Sequence, residues 1–298
     1  MKTLIVITGP TASGKSAIAL ELAKILNTSI ISADSRQIYR NLPIGTAAPS
    51  EDEQAAVPHF FVGILNLEDY YSASMFEQEA LKKIEELFKE KDYLILCGGS
   101  MMYIDAVVNG LDDLPTISDE VRQNVISQYE RYGIDYLLNR LEQLDPDYFA
   151  IVDKNNHKRV IHAIEIIEQS GRTYSSLRTS SKKVRNFNIV EFAVEIEREE
   201  LYKRINDRVD RMLAEGFEAE ARNVEIFKNL NSLNTVGYKE LFAMFDGKMT
   251  KAQAIEKIKR NTRVYAKKQL TWLKKRKNVH YITKASDIVD VINPSLSM

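Results

Sequence analysis

One run of eight residues constrains this chain more than any other. Gly9-Pro10-Thr11-Ala12-Ser13-Gly14-Lys15-Ser16 fits the pattern G-x-x-x-x-G-K-[ST] in full. The β-branched apolar run Leu4–Thr8 precedes it and reads as a buried strand. The spacing of Ile18, Leu22, Ile25 and Leu26 follows it and predicts a helix over 16–26. Glycines at such a strand-to-helix turn let backbone N–H groups face inward as an anion nest. The helix N-terminus adds its positive end. Lys15 is then placed to reach a terminal phosphate, and the Ser16 hydroxyl to hold Mg²⁺. The motif implies a di- or triphosphate without naming a nucleotide. Kinases, GTPases and transferases with a phosphate leaving group all remain open.

The rest of the chain supplies an α/β frame. Ser29–Ala33 and Tyr93–Cys97 read as further strands, and Met75–Lys89 as a charged amphipathic helix between them. Strands alternating with helices predict a parallel sheet. After Leu111 the texture changes: Pro115 to about Arg185 carries no convincing strand. Candidate helices there are Val121–Tyr132, Tyr136–Leu144 and His157–Glu168, broken at Asp145-Pro146 and Ser170-Gly171. A strand returns at Ile189–Ile196. Helices follow at Glu199–Glu215, Glu218–Leu230 and Lys251 to about Lys277, the last with Thr250 and Gln253 as a capping box.

Composition excludes several classes. The 298 residues hold one cysteine, Cys97, so no internal disulfide or multi-cysteine zinc site is available. Cys97 itself, at the end of an apolar strand, reads as a small buried residue. His59, His157, His162 and His280 have no metal-ligand spacing. No apolar stretch reaches the roughly 20 residues that span a bilayer, and the N-terminal run turns polar too soon for a signal peptide. A reduced cytoplasmic setting is expected, with no membrane association. The net charge of −1 predicts no polyanion partner, so charge distribution has to be read locally.

Two local rows stand out. On the last long helix, at 100° per residue, Arg260, Arg263, Lys267 and Lys274 fall within a narrow arc. Ile255, Ile258, Tyr265, Ala266, Trp272 and Leu273 lie broadly opposite. Lys268, Lys275, Arg276 and Lys277 add charge, and Glu256 is the only nearby acid. Solvated faces normally mix signs, so a track for nucleic-acid phosphates is the expectation. The second row is Arg204, Arg208 and Arg211, beside the apolar stripe Leu201, Ile205, Val209 and Met212. Surface pairing with Asp207 and Asp210 and a cleft facing a pyrophosphate both fit that pattern. Asp34, closing the second strand, is open to three readings: Mg²⁺ ligand, catalytic base or ordinary loop acid.

Several stretches, spread along almost the whole chain in one order, resemble the tRNA dimethylallyltransferases (tRNA isopentenyltransferases). They are Gly9–Ser16, Ala33–Arg40, Ile44-Gly45-Thr46-Ala47, Gly98–Tyr103, Arg204 through Leu213 to Gly216-Phe217, Val236-Gly237-Tyr238, and Ala266–Trp272. The resemblance implies a P-loop NTPase-like α/β core over 1–112 and 188–298. A helical insertion over 113–187 would contact the tRNA anticodon stem-loop. The implied reaction is attack of N6 of adenosine 37 on C1 of dimethylallyl diphosphate, with diphosphate leaving, Mg²⁺ as cofactor and no nucleotide consumed. A monomer is expected.

Matched position by position, the resemblance makes Asp34 the general base, Ser100 a hydroxyl at the diphosphate and reacting region, and Arg208 a diphosphate-binding arginine. Gly9 to Ser16 would hold the diphosphate. Ser35, Arg36 and Gln37 would touch the tRNA with Asp34 and Ser100, as would Arg122, Lys158, Arg159 and His162 on the insertion and Arg263 and Lys267 on the last helix. The chain departs from the family pattern in places: Ser100 stands where threonine is commoner, Met101-Met102 where a glycine is common, and Ala48 where a lysine often follows Gly-Thr-Ala. It lacks the Cys/His zinc module of some eukaryotic relatives. An adenylate isopentenyltransferase and a small-molecule kinase or RNA-binding NTPase are the rival readings.

Overall fold

A computed structural model of the chain describes residues 2–179 and 181–292. The chain divides into two compact units, residues 1–108 with 185–298, and residues 109–184.

The larger unit is built on one six-stranded sheet, β1 (Thr3–Thr8), β2 (Ile30–Ser32), β3 (His59–Phe60), β4 (Tyr93–Gly98), β5 (Asn188–Val194) and β6 (Val279–Ile282). Its spatial order is β3-β2-β4-β1-β5-β6, and every pairing is parallel. Parallel strands have both faces covered, and the side chains alternate accordingly. Leu4, Val6, Ile31, Leu94 and Leu96 enter one core cluster, whereas Ile5, Ile7, Ile30, Ile95 and Cys97 enter the other.

β1 is central and β4 lies between it and β2. The carboxyl ends of β1, β2 and β4 therefore open side by side, which is where ligands bind in open α/β sheets. The close packing of those ends requires Gly98, since a Cβ there would collide with the backbone of Ala33.

The sequence-predicted strands and the helices at 15–25, 73–87 and 198–214 are present within one to three residues of their expected ends. β3 and β6, and the helices Met101–Asn109, Tyr238–Phe245 and Ala285–Ile292, were not foreseen. The expected Glu218–Leu230 helix runs only over Phe217–Asn223 and then loosens into short 3-10 turns. Asn223 ends it, a residue whose side chain competes with helical hydrogen bonding.

The last long helix has its capping box at Thr250 and Gln253 but stops at Leu273 rather than near Lys277. There Arg276 turns inward. It pairs with Asp105 and Glu191, and its guanidinium lies over the Trp272 ring. Arg276 is thus a buried anchor of this helix and not part of an exposed cationic row.

The second unit is helical, with no strand among its described residues: Asp119–Leu144, Pro146–Ile151, His157–Ser170 and Tyr174–Leu177. The first span breaks at Gly133 (φ 77°, ψ −177°), which separates the two helices expected there. Its core is Val125, Leu137, Leu141, Val160, Ala163 and Ile164. Among the described residues of the chain no helix is long and apolar enough to cross a membrane.

Candidate active site

The run after β1 folds into a nest-like loop. Ala12 and Gly14 adopt positive φ (65° and 96°), the alternation that turns successive N–H groups inward. Helix Lys15–Ile25 starts directly behind them, and no side chain caps its first turn. The Ser13 hydroxyl is buried and lacks a hydrogen-bond partner among the described residues. A loop with uncapped donors and an orphaned hydroxyl fits an anion.

Lys15 and Arg208 share one cleft, a cavity of about 1110 Å³ whose lining also includes Ser16, Asp34, Arg204 and Arg211. Lys15 bonds the Pro10 carbonyl at 3.4 Å. Arg208 donates to the Thr46 carbonyl at 3.3 Å. Burial holds both below their ordinary pKa; Cys97 and Asp34 offset part of the cost for Lys15 and Asp34 part of it for Arg208, while the like charges of Arg208 on Lys15 and Arg211 on Arg208 lower them further. All three arginines of the row line the cleft, and Arg204 donates to the Ser13 carbonyl at 3.4 Å while pairing with the exposed Glu200. Cys97, buried behind Lys15, has its thiol pushed up to about 11 by burial, an inert core residue as expected.

Asp34 follows β2. Its Oδ1 accepts from the Arg36 and Gln37 amides at 2.9 and 3.3 Å, an Asx turn that aims the carboxylate and leaves Oδ2 for another partner. The surrounding residues are committed to holding this turn. The Ser100 hydroxyl accepts from the Ser35 amide at 2.8 Å and donates to the Ser35 hydroxyl at 3.0 Å. Arg36 donates to the Asn231 and Ser232 carbonyls at 2.7 and 2.9 Å. Gln37 accepts from Ser32 and donates to the Thr46 and Ala47 carbonyls. Ser35, Arg36, Gln37 and Ser100 are brought beside Asp34, each with a side-chain polar atom bonded inside the protein.

Two polar residues essential to this architecture were not singled out from the sequence. Gln269 is only 2% exposed and bonds Thr11 and Gly99. Its signal was available, since it is a lone polar residue on the buried stripe Ala254, Ile258, Ala266 and Leu273. Glu220 accepts from the Ile44 and Gly45 amides at 2.7 and 2.8 Å and from the Tyr238 phenol at 2.5 Å. A Cβ on Gly45 would strike Phe217 and Tyr238, and one on Gly237 would also meet Phe217. Three quoted motif stretches thus interlock behind the site, which their order in the chain does not reveal.

On helix Lys251–Leu273, Arg260 and Lys267 are exposed, as is Lys274 just past its end. Arg263 is half-buried and donates to Asn206 at 2.7 Å. Within the helical unit, Lys158 and Arg159 are exposed, whereas Arg122 and His162 flank the buried Glu165 at 3.8 and 3.6 Å.

The motif order agrees with three comparisons. The family model described as IPP transferase matches residues 37–276. The tRNA dimethylallyltransferase 1 of Bacteroides thetaiotaomicron is 52% identical over 281 residues, covering 94% of this chain and 91% of that protein. The tRNA dimethylallyltransferase of Cytophaga hutchinsonii is 42% identical over 280 residues, covering 94% and 92%. Among solved structures, the tRNA isopentenylpyrophosphate transferase of Bacillus halodurans superposes with a TM-score of 0.73 at 34% identity, covering 100% of this chain and 97% of that one. A eukaryotic dimethylallyltransferase acting on tRNA superposes with a TM-score of 0.82 at 25% identity, covering 100% and 78%. With a phosphate loop, an aimed aspartate and a paired-cation cleft in one unit, and with likeness over nearly its whole length, the chain belongs to the tRNA dimethylallyltransferase family.

Proposed function

We propose that this protein transfers the dimethylallyl group of dimethylallyl diphosphate to N6 of adenosine 37 in tRNA, releasing diphosphate. The observation that carries the substrate is the pairing of Lys15 with Arg208. Both face one cleft, and neither makes an ion pair within 4 Å among the described residues, so the cleft calls for an anion.

The nest N–H groups, Lys15 and Arg208 hold the diphosphate and take up charge as the C1–O bond breaks. Asp34 accepts the proton from N6 as the C–N bond forms, its Oδ1 staying engaged by the turn. The Ser16 hydroxyl, at the cleft, suits a Mg²⁺ that would neutralise charge on the leaving group. Ser100 acts here by holding the Asp34 turn. The exposed Arg260 and Lys267, and Lys158 and Arg159 on the helical unit, are the cations suited to tRNA phosphates. A monomer completes the reading, and the single cysteine suits the cytoplasm.

The test is incubation with labelled dimethylallyl diphosphate, Mg²⁺ and total tRNA, without ATP. Label is expected in tRNA. Unlabelled tRNA overturns the proposal, and label in free AMP instead makes the protein an adenylate isopentenyltransferase.

A further inference from the structure

The geometry points to Gln269 as a positioning residue for the diphosphate: its amide bridges the loop after β4, at Gly99, to the phosphate loop, at Thr11, and sets the spacing of the two loops around Lys15. The inference rests on the diphosphate reading above.

The bridge is made of backbone on both sides. Oε1 accepts from the Thr11 amide at 2.8 Å, and Nε2 donates to the Gly99 carbonyl at 2.9 Å. Only one amide orientation satisfies both, because Thr11 offers a donor and Gly99 an acceptor. Tyr265, one turn earlier on the same helix, donates its phenol to the same Gly99 carbonyl at 3.3 Å.

Gly99 itself is explained by this bridge. Its φ lies outside the left-handed region, so backbone freedom does not require glycine there. A Cβ at that position would lie 2.5 Å from Gln269 Nε2 and 3.6 Å from Lys15 Nζ. The missing side chain makes room for the amide beside the lysine. Gln269 therefore touches both loops that meet the diphosphate, on the face of its helix broadly opposite the exposed Lys267.

Gln269→Glu separates positioning from filling. A carboxylate still accepts from Thr11 but opposes the Gly99 carbonyl and adds negative charge near Lys15. The full-length variants Gln269→Ala, Gln269→Glu, Gly99→Ala and Gly99→Ala with Gln269→Ala are compared in three measurements. These are calorimetric binding of inorganic pyrophosphate with Mg²⁺, KM for each substrate, and Tm.

Gln269→Ala is expected to raise the pyrophosphate Kd and the dimethylallyl diphosphate KM about tenfold, with the tRNA KM within about twofold. Gln269→Glu is expected to bind pyrophosphate more weakly still. Gly99→Ala alone should lower Tm. Adding Gln269→Ala should restore Tm, because space is regained, while the raised KM remains.

An unchanged pyrophosphate Kd in Gln269→Ala, equal rises in both KM values, or no recovery of Tm in the double variant overturns the assignment. Wild-type protein that binds no pyrophosphate overturns the functional reading and this one with it. Wild-type binding with an unaffected Gln269→Ala overturns this one alone.

Discussion

Gln37 and Arg208 donate to one and the same carbonyl, that of Thr46, each at 3.3 Å. The carbonyl ends a single helical turn, Pro43–Thr46, whose other end is capped from afar by Glu220. One short helix thereby links the Asp34 turn, through Gln37, to Arg208 at the cleft. The Tyr238 phenol completes the Glu220 cap, and burial first, then Glu220, pushes that phenol far above its ordinary pKa.

Breaking that cap should loosen Arg208. Glu220→Gln replaces an oxygen with an NH₂ group facing N–H or O–H donors. It is expected to cost about 2–3 kcal/mol in urea unfolding and to raise the KM for dimethylallyl diphosphate more than that for tRNA. Tyr238→Phe keeps the ring against Phe217 and should cost only about 1 kcal/mol. Equal losses in the two variants would show that the carboxylate contributes nothing beyond its bond to the phenol.

Asp34 carries two duties, and asparagine separates them. Asp34→Asn keeps an oxygen for the Arg36 and Gln37 amides and removes the base. Its kcat should fall about 10²- to 10⁴-fold with Tm and tRNA affinity unchanged. Asp34→Ala should lose the turn as well and melt earlier. A near-wild-type rate for the asparagine variant would remove the base assignment.

Lys15 gives a pH dependence of known sign. Burial lowers its pKa in the folded protein, so below that pKa the buried ammonium opposes folding. Between the lowered value and the ordinary 10.5 the unfolded chain binds more protons, so ligand-free stability contributed by this group rises with pH across that window. Bound diphosphate needs the ammonium, so pyrophosphate affinity should fall through the same window. Lys15→Met should raise the Tm of the ligand-free protein and abolish pyrophosphate stabilisation, read by thermal melts with and without pyrophosphate from about pH 7 to 10.

The basic helix is best tested through its exposed cations. Arg260→Glu with Lys267→Glu should weaken tRNA binding and flatten the slope of log K against log salt by about 2. Arg263 is the poorer probe, because its guanidinium is already bonded to Asn206. A slope equal to wild type would make the row ordinary solvated surface.

Local pattern was enough for the frame. Leu4–Thr8 followed by Gly9–Ser16 specified strand, anion nest and helix, because glycine freedom and apolar period are properties of neighbouring residues. The gap between the helices expected to end at Tyr132 and begin at Tyr136, and the cap at Thr250, were legible for the same reason.

Partner choice was not legible. Arg260 and Arg276 carry the same charge on one run, yet the first is exposed and the second pairs with Asp105 and Glu191 from distant strand and helix positions. Gln37 was expected to touch the tRNA, and the structure shows what its amide also holds: Ser32, Thr46 and Ala47. β3, at two residues, is too short to carry a period. The sequence by itself determined where the glycine-rich nest and its helix form, since that depends on contiguous backbone. Only the tertiary structure decided which side chains face the cleft and which hold it in shape, because each buried polar group finds its hydrogen-bond partner in space rather than along the chain.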